Sequence, residues 1–251
     1  MMDLLKEEKM KRILSLSILC IFLLTLAAYP GFSQTAQEIL KKMVEVQGGK
    51  KVFESIKDMT FSGNLEVIQQ GMSGTLTVYK KEPDKRRTDV EIQGFVITQA
   101  YDGQTAWGTN MQTFATEVLS GEEAASSKRE ALPIVSFLYP EKYGISFVYK
   151  GKEKIENKDY FVLEESFPDG FKATVYVDSE TYLTYKTKAR TTAPMLGEVE
   201  VEEFNSDYKK VDGMTIAHSI VTYTNGQEYT KITISKVSFN TGLDDSLFKM
   251  K

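Results

Sequence analysis

At 251 residues, 41% of them hydrophobic and 26% charged, the chain suits one sizeable globular domain with no long linker and no internal repeat. A net charge of −4 argues against nucleic acid as a partner, because phosphate binding needs a basic face. With one cysteine and one histidine, Cys20 and His218, neither a disulfide framework nor a His/Cys metal site has the residues it requires.

At the N-terminus, Lys9, Lys11 and Arg12 precede an apolar run from Ile13 to Ala28, followed by Pro30, Gly31 and Ser33. This is the pattern of a secretory signal peptide over residues 1–33, cut after Ser33. The run of about 16 residues falls short of the roughly 20 that a membrane span requires. Cys20 lies inside that run behind Leu19, which does not suit a lipid-attachment site. Cleavage leaves residues 34–251 as the domain, without cysteine, with 27 Lys and Arg against 32 Asp and Glu and a net charge of −5. The expectation is an exported, mildly acidic, disulfide-free protein.

Residues 35–47 carry Ile39, Leu40, Met43 and Val44 at helical spacing, and Gly48-Gly49 stops the helix. A second short helix falls in "KKVFESIKD". From there the period changes to two. Segments near 59–70, 73–82, 85–92, 95–102, 105–110 and 112–118 alternate and are rich in Val, Ile, Thr, Tyr and Phe. Strands resume near 145–150, 153–157, 159–166, 172–178, 181–190, 198–208, 215–224 and 228–239. Short strands at regular spacing predict an antiparallel meander. Between the two blocks, "LSGEEAASSKREALPIVSFLYPEKYG" is helical or irregular and brings Leu132, Ile134, Val135, Phe137 and Leu138 together as an apolar lid.

In "GEVEVEEFNSDY", Glu198, Glu200 and Glu202 recur at every second residue. Neighbours two apart on a strand lie about 7 Å from each other. Such carboxylates repel by roughly 0.6 kcal/mol in water and about 2.4 kcal/mol at an effective dielectric near 20, so three in a row belong on a wet face. Lys186, Lys188 and Arg190 recur with the same period, and pairing them with Glu202, Glu200 and Glu198 gives a charged hairpin register closed around residues 193–195. The opposite face is then the informative one. It places Val199 and Val201 inward, with a bulge at Glu202-Glu203 turning Phe204 inward as well. The same logic makes Phe61, Leu65, Val67, Leu76 and Val78 inward, with Trp107 and Phe114 as large additions to a cavity lining. Met195 and Leu196 at the hairpin tip form a candidate docking patch.

Catalysis finds little support. His218 has no Gly-x-Ser-x-Gly elbow to serve, so it reads as a structural histidine, and carboxylates alone do not define a glycosidase. The expectation is no enzyme, no metal and no cofactor.

Taken in order, "ILKKMVEVQGGKKVFESIKDMTFSG", "GTLTVYKKEPDKRRTDV", "AYDGQTAWGTN", "DYKKVDGMTIAHSI" and "ISKVSFNTGLDDSLFKM" resemble the LolA/LolB-type outer-membrane lipoprotein carriers and the wider group of outer-membrane lipoprotein-sorting proteins, across most of the mature chain. The resemblance implies a mainly β fold with α elements: a single curved antiparallel sheet, an unclosed half-barrel of about 11 strands, covered by an N-terminal helix and the mid-chain lid. It also implies a periplasmic protein of a diderm bacterium whose concave face holds acyl chains of lipids or lipoproteins, and a membrane or envelope-protein acceptor at its mouth. In the carriers an arginine tied to lid closure precedes the proline matching Pro83; here that position is Glu82, with Lys80, Lys81, Arg86 and Arg87 nearby. The departure leaves a second reading open, a non-transporting envelope sensor or interaction module built on the same half-barrel.

Overall fold

Thr35 opens the first helix by a reciprocal cap. Its hydroxyl accepts from the Glu38 N–H, and the Glu38 carboxylate accepts from the Thr35 N–H at 2.9 Å. A computed structural model describes residues 35–193 and 197–250, so the expected signal peptide at 1–33 lies outside the described residues. Helix α1 (Ala36–Gln47) buries Ile39, Leu40, Met43 and Val44. It ends at Gly48, where φ is 134° and an added Cβ would sit 2.7 Å from the Gly213 carbonyl oxygen. Helix α2 (Lys50–Ser55) follows and buries Phe53.

The rest is one open antiparallel sheet. Its strands are β1 (Asp58–Val67), β2 (Met72–Lys81), β3 (Lys85–Ile92), β4 (Phe95–Tyr101), β5 (Ala106–Thr109) and β6 (Thr116–Val118). They continue with β7 (Ser146–Ile155), β8 (Lys158–Ser166), β9 (Lys172–Asp178), β10 (Thr184–Ala193), β11 (Gly197–Val211), β12 (Met214–Thr224) and β13 (Gln227–Phe239). The spatial order is β6-β5-β4-β3-β2-β1-β13-β12-β11-β10-β9-β8-β7. Each block is a meander, and the pairing of β1 with β13 joins them at the centre. The sheet has 13 strands where about 11 were expected. Residues 145–157 were read as a pair of strands broken near Gly151; they form the single strand β7, with a register shift between Tyr149 and Gly151.

Helix α3 (Gly121–Glu130) and 3-10 turns at Ile134–Phe137 and Pro140–Tyr143 connect the blocks. All three helices lie on one face of the sheet, which is therefore the inner one. There α1 packs on Phe161, Leu163, Val175 and Val177. The lid residue Ile134 joins Val44, Phe53 and Met59, and Ala131 beyond α3 meets Tyr101 and Ala106.

The charged hairpin is on the outer face, two residues out of the expected register. Lys188 lies across from Glu202 and Arg190 across from Glu200. The Lys186–Glu202 and Lys188–Glu200 ion pairs nevertheless form, diagonally, at 2.9 and 2.7 Å. No bulge interrupts the β10–β11 register at Glu202-Glu203. Alternation therefore continues unbroken, so Phe204 stays outside with the glutamates and Glu203 points in. Outside, Phe204 meets Tyr185 and Tyr223 edge-on, and the Lys186 ammonium sits 5.2 Å from its ring centre.

Candidate functional site

Between the inner face and the lid lie two adjoining chambers. The first, of about 510 Å³, is walled by Phe61, Leu76, Val78, Ile220, Ile232 and Ile234. The second, of about 480 Å³, lies under Leu132, Pro133, Ile134 and Phe137 and carries the ionisable residues Lys80, Arg129, Glu130, Glu165 and Glu203. Ile134, Phe137 and Glu203 border both. Each volume is in the usual range for a small-molecule site.

Of the residues expected to line a cavity, Phe61, Leu76 and Val78 do so. Leu65 and Val67 are buried on the same face of β1, and Val199 and Val201 share the inner face of β11, outside the lining of either chamber. Trp107 is on the other side of the sheet. Its neighbours in β5, Ala106 and Gly108, take the inner positions, and its indole N–H donates to the Phe248 carbonyl oxygen at 2.8 Å. The C-terminal turn at Asp245–Phe248 buries it from outside. Phe114 belongs to the β5–β6 loop at a φ of 56°; it is 52% exposed and stacks on Phe95 with centroids 5.1 Å apart. Of the lid residues, Ile134 and Phe137 face both chambers and Leu132 the second, whereas Val135 and Leu138 pack into the cluster around Phe53. The tip residues Met195 and Leu196 lie outside the described residues.

Polar contacts hold the lid over the chambers. Arg86 Nη1 lies 2.5 Å from the Glu130 carboxylate, and Lys80 Nζ donates to the Glu130 carbonyl oxygen at 3.2 Å. The Ile134 N–H donates to Glu82 Oε1 at 2.8 Å. Glu82, the departure from the carriers' arginine, thus still touches the lid, as an acceptor. On the far side Arg129 pairs with Asp169 and Glu122, its guanidinium 3.8 Å from the Phe171 ring centre, which ties α3 to the β8–β9 turn.

Burial shifts the ionisable groups in the directions that desolvation dictates. It lowers Lys80 to about 8, although Glu82 and Glu130 pull the other way. It raises Glu165 to about 7 with no opposing contact. Glu203 is raised by burial against the weaker pull of Asn205, and Glu82 by burial against its bond from Ile134. Glu203 is exposed to solvent where it borders both chambers, with protein close on its flanks. Beyond Asp207, at a φ of 52°, Tyr208 also lines the first chamber and donates to the Thr184 carbonyl oxygen at 2.6 Å. These residues were missed in the sequence, although strict alternation offered the signal: Lys80 follows Leu76 and Val78, and Glu203 follows Val199 and Val201, at steps of two.

His218 is buried, with Nδ1 3.0 Å from the Ile216 carbonyl oxygen. Among the described residues no group of three or more His, Cys, Asp or Glu is placed to hold a metal ion, and no helix is long and apolar enough to cross a membrane.

No protein-family model matches the chain, and no curated protein matches it significantly. Solved structures do. A LolA superfamily protein from Nitrosomonas europaea is 15% identical with a TM-score of 0.58, the match covering 87% of this chain and 99% of that one. A DUF1329 family protein from Desulfovibrio piger is 13% identical at a TM-score of 0.57, covering 85% and 96%. An outer membrane lipoprotein-sorting protein domain from Vibrio parahaemolyticus is 16% identical at 0.54, covering 83% and 97%. At these identities the likeness is one of fold, and the fold is the LolA-type open half-barrel.

Proposed function

We propose that this protein is an exported carrier that shelters acyl chains of a lipid or lipoprotein beneath its lid, in the periplasm of a diderm bacterium, and hands them to an outer-membrane acceptor. It works by binding and release, without catalysis. The observation that carries the reading is the largely apolar first chamber, adjoining the second and bordered by Ile134 and Phe137 of the lid.

Magnitudes support it. Burying hydrocarbon is favourable by about 0.8 kcal/mol per methylene, so a sixteen-carbon chain gains roughly 12 kcal/mol before ordering costs. Partly exposed ion pairs such as Arg86–Glu130 contribute about 0 to 1 kcal/mol each. Entry of a chain therefore outweighs the contacts holding the lid, and delivery requires an acceptor that offers comparable apolar surface. Phe95, Val96, Met111 and Phe114, all more than half exposed near the β3–β4 and β5–β6 turns, suit contact with such an acceptor.

The test is uptake of a fluorescent fatty acid by the wild type and by Leu76→Trp, which fills the first chamber with an apolar ring. Saturable uptake by the wild type, weakened at least tenfold in a folded variant, is the expected result. Equal uptake by both would remove the chamber as the site.

A further inference from the structure

The second chamber is unevenly provided with partners. Its cations are both engaged: Lys80 by the Glu130 carbonyl oxygen, Arg129 by Asp169 and Glu122. Its carboxylates on the sheet are not. Glu165 makes no hydrogen bond or ion pair among the described residues, and Glu203 has only the Asn205 amide, at 3.5 Å, with the Arg86 guanidinium acting on it through space without an ion pair. Both line the same chamber, and Glu203 stands where it meets the apolar one. A carboxylate without a protein donor keeps its acceptor capacity free, and a donor brought by a ligand can take it up. The open capacity under the lid is thus for hydrogen-bond donors and positive charge, beside a chamber for hydrocarbon.

We propose that the carrier selects amphiphiles with an amine head, the ammonium group held by Glu203 and Glu165 in the lidded chamber and the tail lying along Phe61, Leu76 and Ile232. The assignment rests on the carrier reading and adds the class of cargo to it. Charge-assisted hydrogen bonds in an enclosed site are about twice as strong as neutral ones, so the head contributes selectivity while the tail contributes most of the affinity.

The experiment is displacement of a bound neutral fluorescent acyl probe from the purified protein by hexadecylamine, palmitic acid, monopalmitoylglycerol and butylamine, each below its micelle concentration. Hexadecylamine is expected to displace the probe at a concentration at least about tenfold below those needed for palmitic acid and monopalmitoylglycerol. Butylamine should not displace it, which separates an amine lipid from a free small amine. Glu203→Gln should remove most of the amine preference, read as the ratio of hexadecylamine to monopalmitoylglycerol displacement in the same variant; Glu165→Gln should reduce that ratio further. Palmitic acid displacing as well as the amine, or a preference that survives both substitutions together, would overturn the assignment while leaving carriage standing. Failure of every long-chain compound, the uncharged monopalmitoylglycerol included, would overturn carriage itself and the head-group assignment with it.

Discussion

Glu165 costs the folded protein stability at neutral pH. Its folded-state pKa is raised by burial from 4.5 to about 7, so the folded chain binds that proton more tightly than the unfolded one. Stability therefore declines as pH rises from about 4.5 to about 7, and the deficit persists above that range. Glu165→Gln removes the charge that burial penalises. The variant should match the wild type below pH 4.5 and exceed it at pH 8 by about 2 kcal/mol, once screening by cavity water is allowed for. Denaturant melts at both values check this, and equal stabilities at pH 8 would contradict it. Trp107 gives a second residue-scale contrast. Trp107→Phe deletes the bond to the Phe248 carbonyl oxygen and part of the packing under the C-terminal turn, a loss of about 1 to 3 kcal/mol. Fatty-acid uptake should be unchanged, because the indole faces away from the chambers; a loss of uptake in the folded variant would refute its outward placement. The different fates of Val78 and Trp107 show what was legible at this scale. Val78 was placed by alternation with Leu76, whereas Trp107 was placed inward for its size, against the inward positions of Ala106 and Gly108. Glu203 was assigned to a bulge that the β10–β11 register lacks, and Lys80 only to the charges near Pro83, so the inward positions that alternation gives both were not read.

The lid is the element on which uptake depends. Glu130 is its main fastening, taking Arg86 on its carboxylate and Lys80 on its carbonyl oxygen. Glu130→Ala leaves the Arg86 guanidinium without that carboxylate at the chamber wall. Hydrogen exchange should then quicken across residues 121–137 by about three- to tenfold, with faster probe uptake and release and little change in the exchange of β1 and β13. Unchanged exchange in the lid would show that its apolar contacts alone hold it. The lid's composition was readable in the run from Leu132 to Leu138, since apolar residues between strand blocks need a surface to cover. Its division of labour was not, because short 3-10 turns set which side chains face the sheet. In the charged hairpin, opposite charges with equal periods are satisfied by direct or by diagonal pairing alike. The alternation of "GEVEVEE" specified the wet face without deciding a shift of two residues, which keeps every side chain on its face.

At the scale of the whole molecule, the pairing of β1 with β13 turns two meanders into one open sheet wide enough to curve around a cavity. Period-two segments on either side of a helical connection carried most of that architecture in the sequence. The Gly151 irregularity, which reads as a strand break and behaves as a bulge within β7, accounts for one misplaced boundary. Helices α1 to α3 all lie on the inner face, and the outer face keeps the charged and aromatic ladders. Such an arrangement makes a container, and the direct question is whether it is filled. Native mass spectrometry of the protein purified from a membrane-containing diderm host answers it. Carriage predicts a bound species with the mass of an acyl-bearing molecule, diminished in Leu76→Trp. A protein that flies only at its bare mass and also takes up no added fatty acid would contradict the account.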